Sequence, residues 1–130
     1  MPKFSALSQS RLNMCHPDLK AIFQKVIQDF DCSILEGHRD EATQSLYFKE
    51  GKSKVQYPFS KHNRLPSLAV DAAPYPVDWN DKKRFCFFAG YVMGVAKMLK
   101  IKLCWGGDWD NDKDLKDQTF NDLVHFELIV

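Results

Sequence analysis

One short apolar segment constrains the fold of this chain more than any other feature of its sequence. Residues 68–73 are Leu-Ala-Val-Asp-Ala-Ala, and prolines at positions 74 and 76 end the run. A short apolar run stopped by prolines is typical of a strand buried in a sheet. Asp71 is the exception inside it, because an isolated buried carboxylate costs several kcal/mol unless a partner or a metal ion compensates its charge. We therefore expect a buried strand whose carboxylate either binds something or serves as an internal cap.

Apolar residues recur at helical spacing in three other segments. The first predicted helix begins at Pro17, the second spans residues 40–50, and the third extends from Asp78 or Asn80 to about Leu99. The inward face of the third helix is predicted to contain Phe85, Phe88, Ala89, Val92, Ala96 and Leu99. Shorter apolar runs predict further strands at residues 32–35, 101–105 and 123–130. Because strands and helices do not alternate regularly, the pattern favours the α+β class.

Length and composition exclude several classes of protein. The chain has 130 residues, of which 45% are hydrophobic, so it suits a single domain, residues 1–130, with its own core. A formal net charge of +1 gives no electrostatic reason to expect a nucleic acid or an anionic membrane as partner. No apolar run has the length of a membrane span, and the N-terminus lacks the apolar stretch of a secretory signal. The four cysteines, Cys15, Cys32, Cys86 and Cys104, form no C-x-x-C pair, and we expect reduced, mostly buried thiols.

Two histidines complete a potential metal site with Asp71. Strand alternation puts Leu123, His125 and Glu127 on one face of the last predicted strand, and Val124, Phe126 and Leu128 on the other. His62 lies in the polar loop just before the strand of Asp71. Two histidines and one carboxylate form a familiar catalytic zinc set that leaves the fourth position for water. Spacing alone leaves other interpretations open, since a single histidine is often a surface residue and a His-x-Glu pair often faces solvent.

An acidic loop follows the predicted strand at residues 101–105. Its aspartates, Asp108, Asp110, Asp112 and Asp114, alternate as in a calcium loop. An EF-hand needs a glycine at the sixth position of its loop and a glutamate at the twelfth. Neither residue is present when the positions are counted from any of these aspartates. A solvated loop is the favoured interpretation, and weak calcium binding is the alternative. Trp105 and Trp109 flank the loop and are predicted either to line a substrate groove or to pack in the core.

The motifs together resemble a family of zinc peptidases. The segments that carry the resemblance are SKHNRLPSLAVDAAPYP, the DW that follows it, the C-terminal DLVHFEL, the opening LSQSRLNMCHPDL and EGHRDEATQ. They resemble the family of bacterial D-alanyl-D-alanine carboxypeptidases and dipeptidases, and most of all its phage branch, the L-alanyl-D-glutamate endopeptidases used as endolysins. The resemblance covers nearly the whole chain. It implies helices packed on a mainly antiparallel sheet with a zinc site on the sheet, as in the D-Ala-D-Ala peptidase and hedgehog-like fold.

The resemblance also implies roles for individual residues. By motif position the zinc ligands would be His62, Asp71 and His125. Asp122 would be the general base, and Arg39 would steady the substrate carbonyl. Gln44 and Ser60 would lie near the substrate. The His62–Asp71 interval of nine residues exceeds the seven typical of many relatives, which a loop can absorb. Glu127 is expected to support a histidine ligand, and it is the next candidate for the base.

The resemblance implies hydrolysis of the L-alanyl-D-glutamate bond in the peptide stem of bacterial peptidoglycan, leading to lysis of the host. Such an enzyme would wait in the host cytoplasm as a monomer, without a signal peptide, until a holin gives it access to the cell wall. We expect no separate cell-wall-binding domain, so that recognition falls to the catalytic groove. A D,D- or L,D-carboxypeptidase is the enzymatic alternative. A zinc-binding module without catalysis is the other alternative, and the presence of Asp122 and Arg39 argues against it.

Overall fold

The computed structural model describes residues 2–114 and 122–130. The helices of these parts are α1 (Ala6–Asn13), α2 (Pro17–Val26), α3 (Glu41–Lys49) and α4 (Lys82–Met98), with a short 3-10 helix at Lys61–Asn63. The strands are β1 (Cys32–Glu36), β2 (Ala69–Pro74), β3 (Leu103–Trp105) and β4 (His125–Leu128).

Each long helix begins where a side chain caps its free backbone amides. Helix α2 has Pro17 in its first turn, and the ring of His16 accepts a hydrogen bond from the amide of Asp18 at 3.0 Å. Helix α4 begins after Asp81, whose carboxylate accepts from the amide of Arg84 at 3.1 Å. The predicted cap at Asp78 or Asn80 is therefore wrong. The Asp78 carboxylate instead closes a turn by accepting from the Asn80 amide.

The four strands form one antiparallel sheet in the order β1-β2-β4-β3. Strand β2 lies inside this sheet, as its apolar sequence predicts, and it pairs with β1 on one side and β4 on the other. In the β2–β4 pair Asp71 stands directly opposite His125. This register brings two of the predicted ligands together across neighbouring strands, although they are far apart in sequence.

The core lies between one face of the sheet and helices α2 and α4. Phe126 of β4 points into it and meets Phe23 and Phe88 edge-on, with ring centroids 5.7 and 6.2 Å apart. Because successive strand residues face opposite sides, His125 and Glu127 point to the other face of the sheet. The predicted alternation is confirmed for residues 125–128, whereas Leu123, which was expected on the face of His125, lies outside the strand and packs against the core.

The inward face of α4 is confirmed except at its end. Phe85, Phe88, Ala89, Val92 and Ala96 are buried. Leu99 is the C-cap residue and 39% exposed, because the helix ends one residue before it. Two strands are also shorter than predicted, since residues 101–102 and 123–124 lie outside β3 and β4.

The cysteines are all free. Cys15, Cys32 and Cys104 are buried and Cys86 is partly buried, in line with the expectation of reduced thiols acting as small hydrophobic residues. Burial raises the pKa of Cys15 and of Cys32 to about 12, which leaves these thiols unreactive. Within the described ranges, no helix has both the length and the apolarity needed to cross a bilayer.

Candidate metal centre

Three elements bring the predicted ligands to one point on the open face of the sheet. Asp71 comes from β2 and His125 from β4, where they are cross-strand partners. His62 comes from the 3-10 helix, which Ser60 and Asn63 hold through reciprocal capping bonds. The backbone of this turn is short and fully capped, so the His62 ring has a defined direction.

The three ligand atoms form a nearly regular triangle. His62 Nε2 lies 3.1 Å from Asp71 Oδ1 and 3.3 Å from His125 Nδ1, and the last two atoms are 3.2 Å apart. Bonds of about 2.0–2.1 Å place any two ligand atoms of a tetrahedral zinc ion about 3.3 Å apart. The donor types and their spacing therefore fit a metal ion, and this group can hold one.

The second nitrogen of each imidazole is held by an outer partner. His62 Nδ1 lies 2.7 Å from the carbonyl oxygen of Gly37, and His125 Nε2 lies 2.8 Å from Glu127 Oε1. A neutral histidine that donates its proton outward presents a lone pair on the inner nitrogen. The two rings are thus oriented to offer His62 Nε2 and His125 Nδ1 to the same ion.

The electrostatics of the group favour positive charge at its centre. Burial raises the pKa of Asp71. The positive charges of His62 and His125, and the hydrogen bonds that they form with the carboxylate, outweigh this effect and hold the pKa of Asp71 well below its usual range. For His125, burial lowers the pKa, while hydrogen bonds to Asp71 and Glu127 raise it to about 9. The carboxylates therefore stabilise a cation here, whether it is a proton or a metal ion.

The loop between His62 and Asp71 leaves this geometry intact. Its residues 64–66 are exposed, and they are absent from the walls of the adjoining cavity. Ser67 is fully buried, and its backbone exchanges hydrogen bonds with Met14 and His16 in the α1–α2 connection. Residues 64–66 therefore form no part of the cavity wall beside the triangle.

A cavity of about 260 Å³ opens beside the triangle. Of the residues singled out in the sequence, it is lined by Arg39, Ser60, His62, Trp109, Asp122, His125 and Glu127. The Trp109 and His125 rings have centroids 5.3 Å apart, so this indole forms a wall of the cavity. A second hollow of about 230 Å³, bordered by Trp79 and Phe85, meets the first at Asp122.

Asp122 lies at this meeting point because backbone hydrogen bonds fix the turn before β4. Its amide donates to the carbonyl of Gly106 at 2.9 Å, and its carbonyl accepts from the His125 amide at 3.1 Å. Burial, and next the nearby charge of Asp71, raise the pKa of the Asp122 carboxyl. A carboxylate with a raised pKa is better suited to accepting a proton than an ordinary exposed one.

Arg39 is held on the other side of the triangle. Its guanidinium pairs with Glu36, donates to Gln44 Oε1 at 2.8 Å and lies 3.8 Å from Asp71 Oδ2. It also stacks over the Tyr47 ring at 4.7 Å. With 8% of its surface exposed, this permanent cation is fixed against the cavity rather than free in solvent.

Two residues expected near the substrate lie elsewhere. Gln44 is fully buried behind Arg39, so the expected contact with substrate is not available to it, and its Oε1 instead accepts a hydrogen bond from Arg39. Trp105 is 5% exposed, belongs to the core and donates its indole N–H to the Leu123 carbonyl at 2.9 Å. Of the two interpretations of Trp105, the structure supports core packing.

The comparisons with known proteins agree with this geometry. The family model of the phage L-alanyl-D-glutamate peptidases matches residues 1–129. This chain belongs to that family. It is therefore a peptidase, and the resemblance inferred from its motifs is confirmed.

Two relatives extend the match over the length of the peptidase. The L-alanyl-D-glutamate peptidase of Escherichia phage T5 is 30% identical over 135 residues, which cover 98% of each chain. The crystal structure of the L-Ala D-Glu endopeptidase ChiX of Serratia marcescens superposes with a TM-score of 0.78. That match has 28% sequence identity and covers 98% of this chain and 90% of ChiX. The predicted α+β fold, with helices on a mainly antiparallel sheet, is confirmed.

Sequence reasoning missed several residues that shape the site of this peptidase. Lys61 donates to Glu127 Oε2 at 2.9 Å and also to the Leu128 carbonyl, so it fixes the carboxylate that holds His125. The loop 52–55 and Phe59 form a further wall of the cavity. Lys61 stands beside His62 in the sequence, but the direction of a lysine side chain cannot be read from a loop without regular periodicity.

The acidic loop of the peptidase forms a second cluster of oxygen atoms. Carboxylate oxygens of Asp108, Asp110 and Asp112 lie within 4.8 Å of one another. Asp108 is 7% exposed, and its Oδ2 accepts from the Lys113 amide at 2.9 Å. Its Oδ1 is buried and has no hydrogen-bond partner among residues 2–114 and 122–130. This cluster also has the composition of a cation site.

Proposed function

We propose that this peptidase hydrolyses the L-alanyl-D-glutamate bond of the peptidoglycan stem with a zinc ion held by His62, Asp71 and His125. One observation carries the proposal: the three ligand atoms lie 3.1–3.3 Å apart at the edge of a cavity that Asp122 and Arg39 also line. The names of the family and of both relatives supply the bond that is cut.

Zinc suits this donor set better than magnesium or calcium. Two imidazoles and one carboxylate are the ligands of several catalytic zinc sites, whereas magnesium and calcium prefer oxygen donors alone. When bound, zinc supplies a Lewis acid that polarises the substrate carbonyl and makes water nucleophilic near neutral pH.

Asp122 is our candidate for the general base. It would take the proton of the attacking water and return it to the amine that leaves with D-glutamate. Glu127, the alternative, is a poorer base. Burial raises the pKa of Glu127, but hydrogen bonds from His125 and Lys61 outweigh burial and lower that pKa to about 2. Both oxygens of Glu127 are also occupied by those partners.

Arg39 would stabilise the oxyanion that develops on the carbonyl. The group is charged at all working pH values, and its position is fixed by Gln44 and Glu36, so it need not reorganise during the reaction. Ser60 and Trp109 line the same cavity and would contact the peptide on either side of the reacting group.

The biological role that we propose is that of a monomeric endolysin. The enzyme would reach the cell wall after a holin opens the membrane, and cleavage of stems would then lyse the host. Within residues 1–130 the catalytic cavity would itself recognise peptidoglycan, without a separate wall-binding domain.

Digestion of purified peptidoglycan tests the proposed reaction. The protein is incubated with and without a zinc chelator, and the new termini are identified by mass spectrometry. We expect new N-terminal D-glutamate, its loss with the chelator, and its return when zinc is added. Released D-alanine would contradict the proposal in favour of a carboxypeptidase, and the absence of any product would favour a non-catalytic zinc-binding module.

We propose further that the Asp108–Asp112 cluster binds calcium weakly. The buried Asp108 Oδ1 without a described partner supports this, since such an oxygen is costly unless a ligand compensates it. We expect calcium at millimolar concentration, but not magnesium, to raise the unfolding temperature, and Asp108→Asn to remove the increase. An equal increase in the variant would contradict the proposal.

A further inference from the structure

One wall of the cavity has no role in the mechanism proposed above. It is the loop of residues 52–55, Lys-Ser-Lys-Val, which we call the lysine wall. Among the residues that the structure describes, four cations line the cavity, namely Arg39, Lys52, Lys54 and Lys61, against the two carboxylates of Asp122 and Glu127. The cavity is therefore built to receive a group with negative charge.

The cations differ in how firmly they are engaged. Arg39 is bound by Glu36 and Gln44, and Lys61 is bound by Glu127 and the Leu128 carbonyl. Lys52 instead pairs with Glu50 at 3.3 Å, in a bridge whose side chains are 66% and 43% exposed, and its ammonium group lies 5.5 Å from the centroid of the Tyr47 ring. Exposed pairs of this kind contribute little free energy, so Lys52 can exchange this partner for an anion in the cavity.

A buried amide fixes the lysine wall relative to the reacting centre. Gln44 Nε2 donates to Ser53 Oγ at 2.9 Å and to the Val55 carbonyl at 2.6 Å. The same side chain accepts from Arg39 through Oε1 at 2.8 Å. Because the fully buried Gln44 forms hydrogen bonds with both Arg39 and the lysine wall, the distance between the wall and Arg39 is fixed.

The proposed substrate carries an anion in the corresponding place. Glutamate has two carboxyl groups, and only one of them continues the peptide beyond the bond that is cut. The other stays as a free carboxylate on the same residue as the scissile nitrogen. A substrate bound with its scissile carbonyl near Arg39 must therefore place this carboxylate within a few bonds of the reaction.

We propose that Lys52 and Lys54 bind the free carboxylate of D-glutamate and make it a requirement for efficient cleavage. The inference rests on the proposed L-alanyl-D-glutamate specificity and assigns its structural origin. It predicts discrimination against a stem in which that carboxylate is an amide, because an amide offers no charge to the two ammonium groups.

Paired substrates test this inference. Two synthetic stem peptides, one with the free carboxylate and one with its amide, are cleaved by the zinc-loaded wild type and by a Lys52→Gln/Lys54→Gln variant. We expect the wild type to prefer the carboxylate by about tenfold or more, mainly through KM. In the variant the carboxylate substrate should lose about that factor, while the amide substrate keeps its rate.

Further variants separate a specific contact from a general effect of charge. Lys49→Gln removes an exposed lysine of α3 that lies outside the cavity lining, and it should leave the preference unchanged. Lys52→Arg/Lys54→Arg should retain most of it. Zinc content and the unfolding temperature of each variant establish that the fold and the metal site are intact.

The outcomes distinguish the two proposals. If the wild type cleaves both substrates equally, or if the glutamine variant loses the same factor on both, the role of the lysine wall is wrong while the proposed reaction stands. If the wild type cleaves neither peptide at the L-alanyl-D-glutamate bond, the proposed function is wrong and this inference is wrong with it.

Discussion

Asp71 and Asp122 are carboxylates of one site whose surroundings move their pKa values in opposite directions. The histidines overcome the effect of burial at Asp71 and lower its pKa, whereas burial and the Asp71 charge raise the pKa of Asp122. One group is thus suited to remain an anion beside a cation, and the other to exchange a proton. This division corresponds to the ligand and base roles proposed for them.

The raised pKa of Asp122 predicts the pH dependence of cleavage. A general base acts only when deprotonated, so kcat/KM should fall as the pH decreases through the pKa of this carboxyl. Because burial raises that pKa, the acid limb should lie at higher pH than it would for an exposed aspartate at the same distance from the metal ion. Asp122→Asn should lower kcat by about 10²–10⁴ with zinc content unchanged, as metal analysis would establish. Near wild-type turnover in this variant would transfer the base to another residue.

Glu127 is expected to influence metal affinity although it does not contact the proposed metal ion. Its carboxylate orients His125 and is itself held by Lys61. Glu127→Gln should therefore weaken zinc binding by about 10- to 100-fold, measured by competition with a chromophoric chelator. The exposed Glu41→Gln is the matched control and should bind zinc as the wild type does. Equal affinities in all three proteins would show that Glu127 does not orient the ligand.

At the residue scale the sequence predicted the grouping of His62, Asp71 and His125 better than it predicted the residues around them. Asp71 and His125 stand out because a charged and a titratable group interrupt apolar strands. Gln44 does not, since most of α3 is polar and exposed and nothing in its periodicity marks the one buried amide. Trp105 remained undecided because an indole suits a groove and a core equally well.

At the scale of elements, the turn before β4 depends on a close approach between backbone segments. A Cβ atom on Gly106 would lie 2.1 Å from the Asp122 carbonyl oxygen, so Gly106→Ala must displace the segment that carries the proposed base. We expect a loss of about 1–3 kcal/mol in unfolding free energy and a larger loss of activity than of zinc content. Denaturant unfolding, metal analysis and digestion assays measure the three quantities.

A second glycine provides the control for that change. Gly94 lies inside α4, and a Cβ atom there meets nothing within 4 Å. Gly94→Ala should raise the unfolding free energy by about 0.5–1 kcal/mol, because alanine favours the helix, and leave activity unchanged. If both variants lose activity alike, the effect of Gly106→Ala does not arise from its contact with Asp122.

The elements themselves were predictable to different degrees. Helix α4 and strand β2 were predicted because long apolar periodicity and a proline-stopped apolar run are strong local signals. Helix α1 was not, since Ser8 and Leu12 are its only buried residues and leave no apolar stripe. The last strand is shorter than predicted because residues 122–125 form a hydrogen-bonded turn that alternation of side chains does not reveal.

At the scale of the whole molecule, the candidate metal centre joins parts of the chain that are distant in sequence. His62, Asp71 and His125 belong to three separate elements, and the strand order β1-β2-β4-β3 that unites them depends on long-range pairing. Local patterns could not predict that order, although the family resemblance implied the sheet as a whole.

Metal removal should therefore affect the stability of the entire fold. A ligand that binds only the native state adds about 4 kcal/mol to the unfolding free energy when its free concentration is about 1,000 times Kd. We expect a chelator to lower the unfolding temperature and zinc to restore it. His125→Ala should show the same unfolding temperature with zinc as with chelator. A zinc-dependent increase that survives in this variant would contradict the proposed ligand set.

The cross-strand pairing of Asp71 with His125 also limits how the chain can vary in length. A slip of one residue between β2 and β4 would turn His125 toward the core and Phe126 toward the ligands, since neighbouring strand residues face opposite sides. An insertion inside either strand would therefore separate the proposed ligands, whereas the exposed residues 64–66 lie outside this constraint. Under the proposed ligand set, zinc affinity would report on strand alignment, and a misaligned chain would be recognisable by its failure to retain the metal.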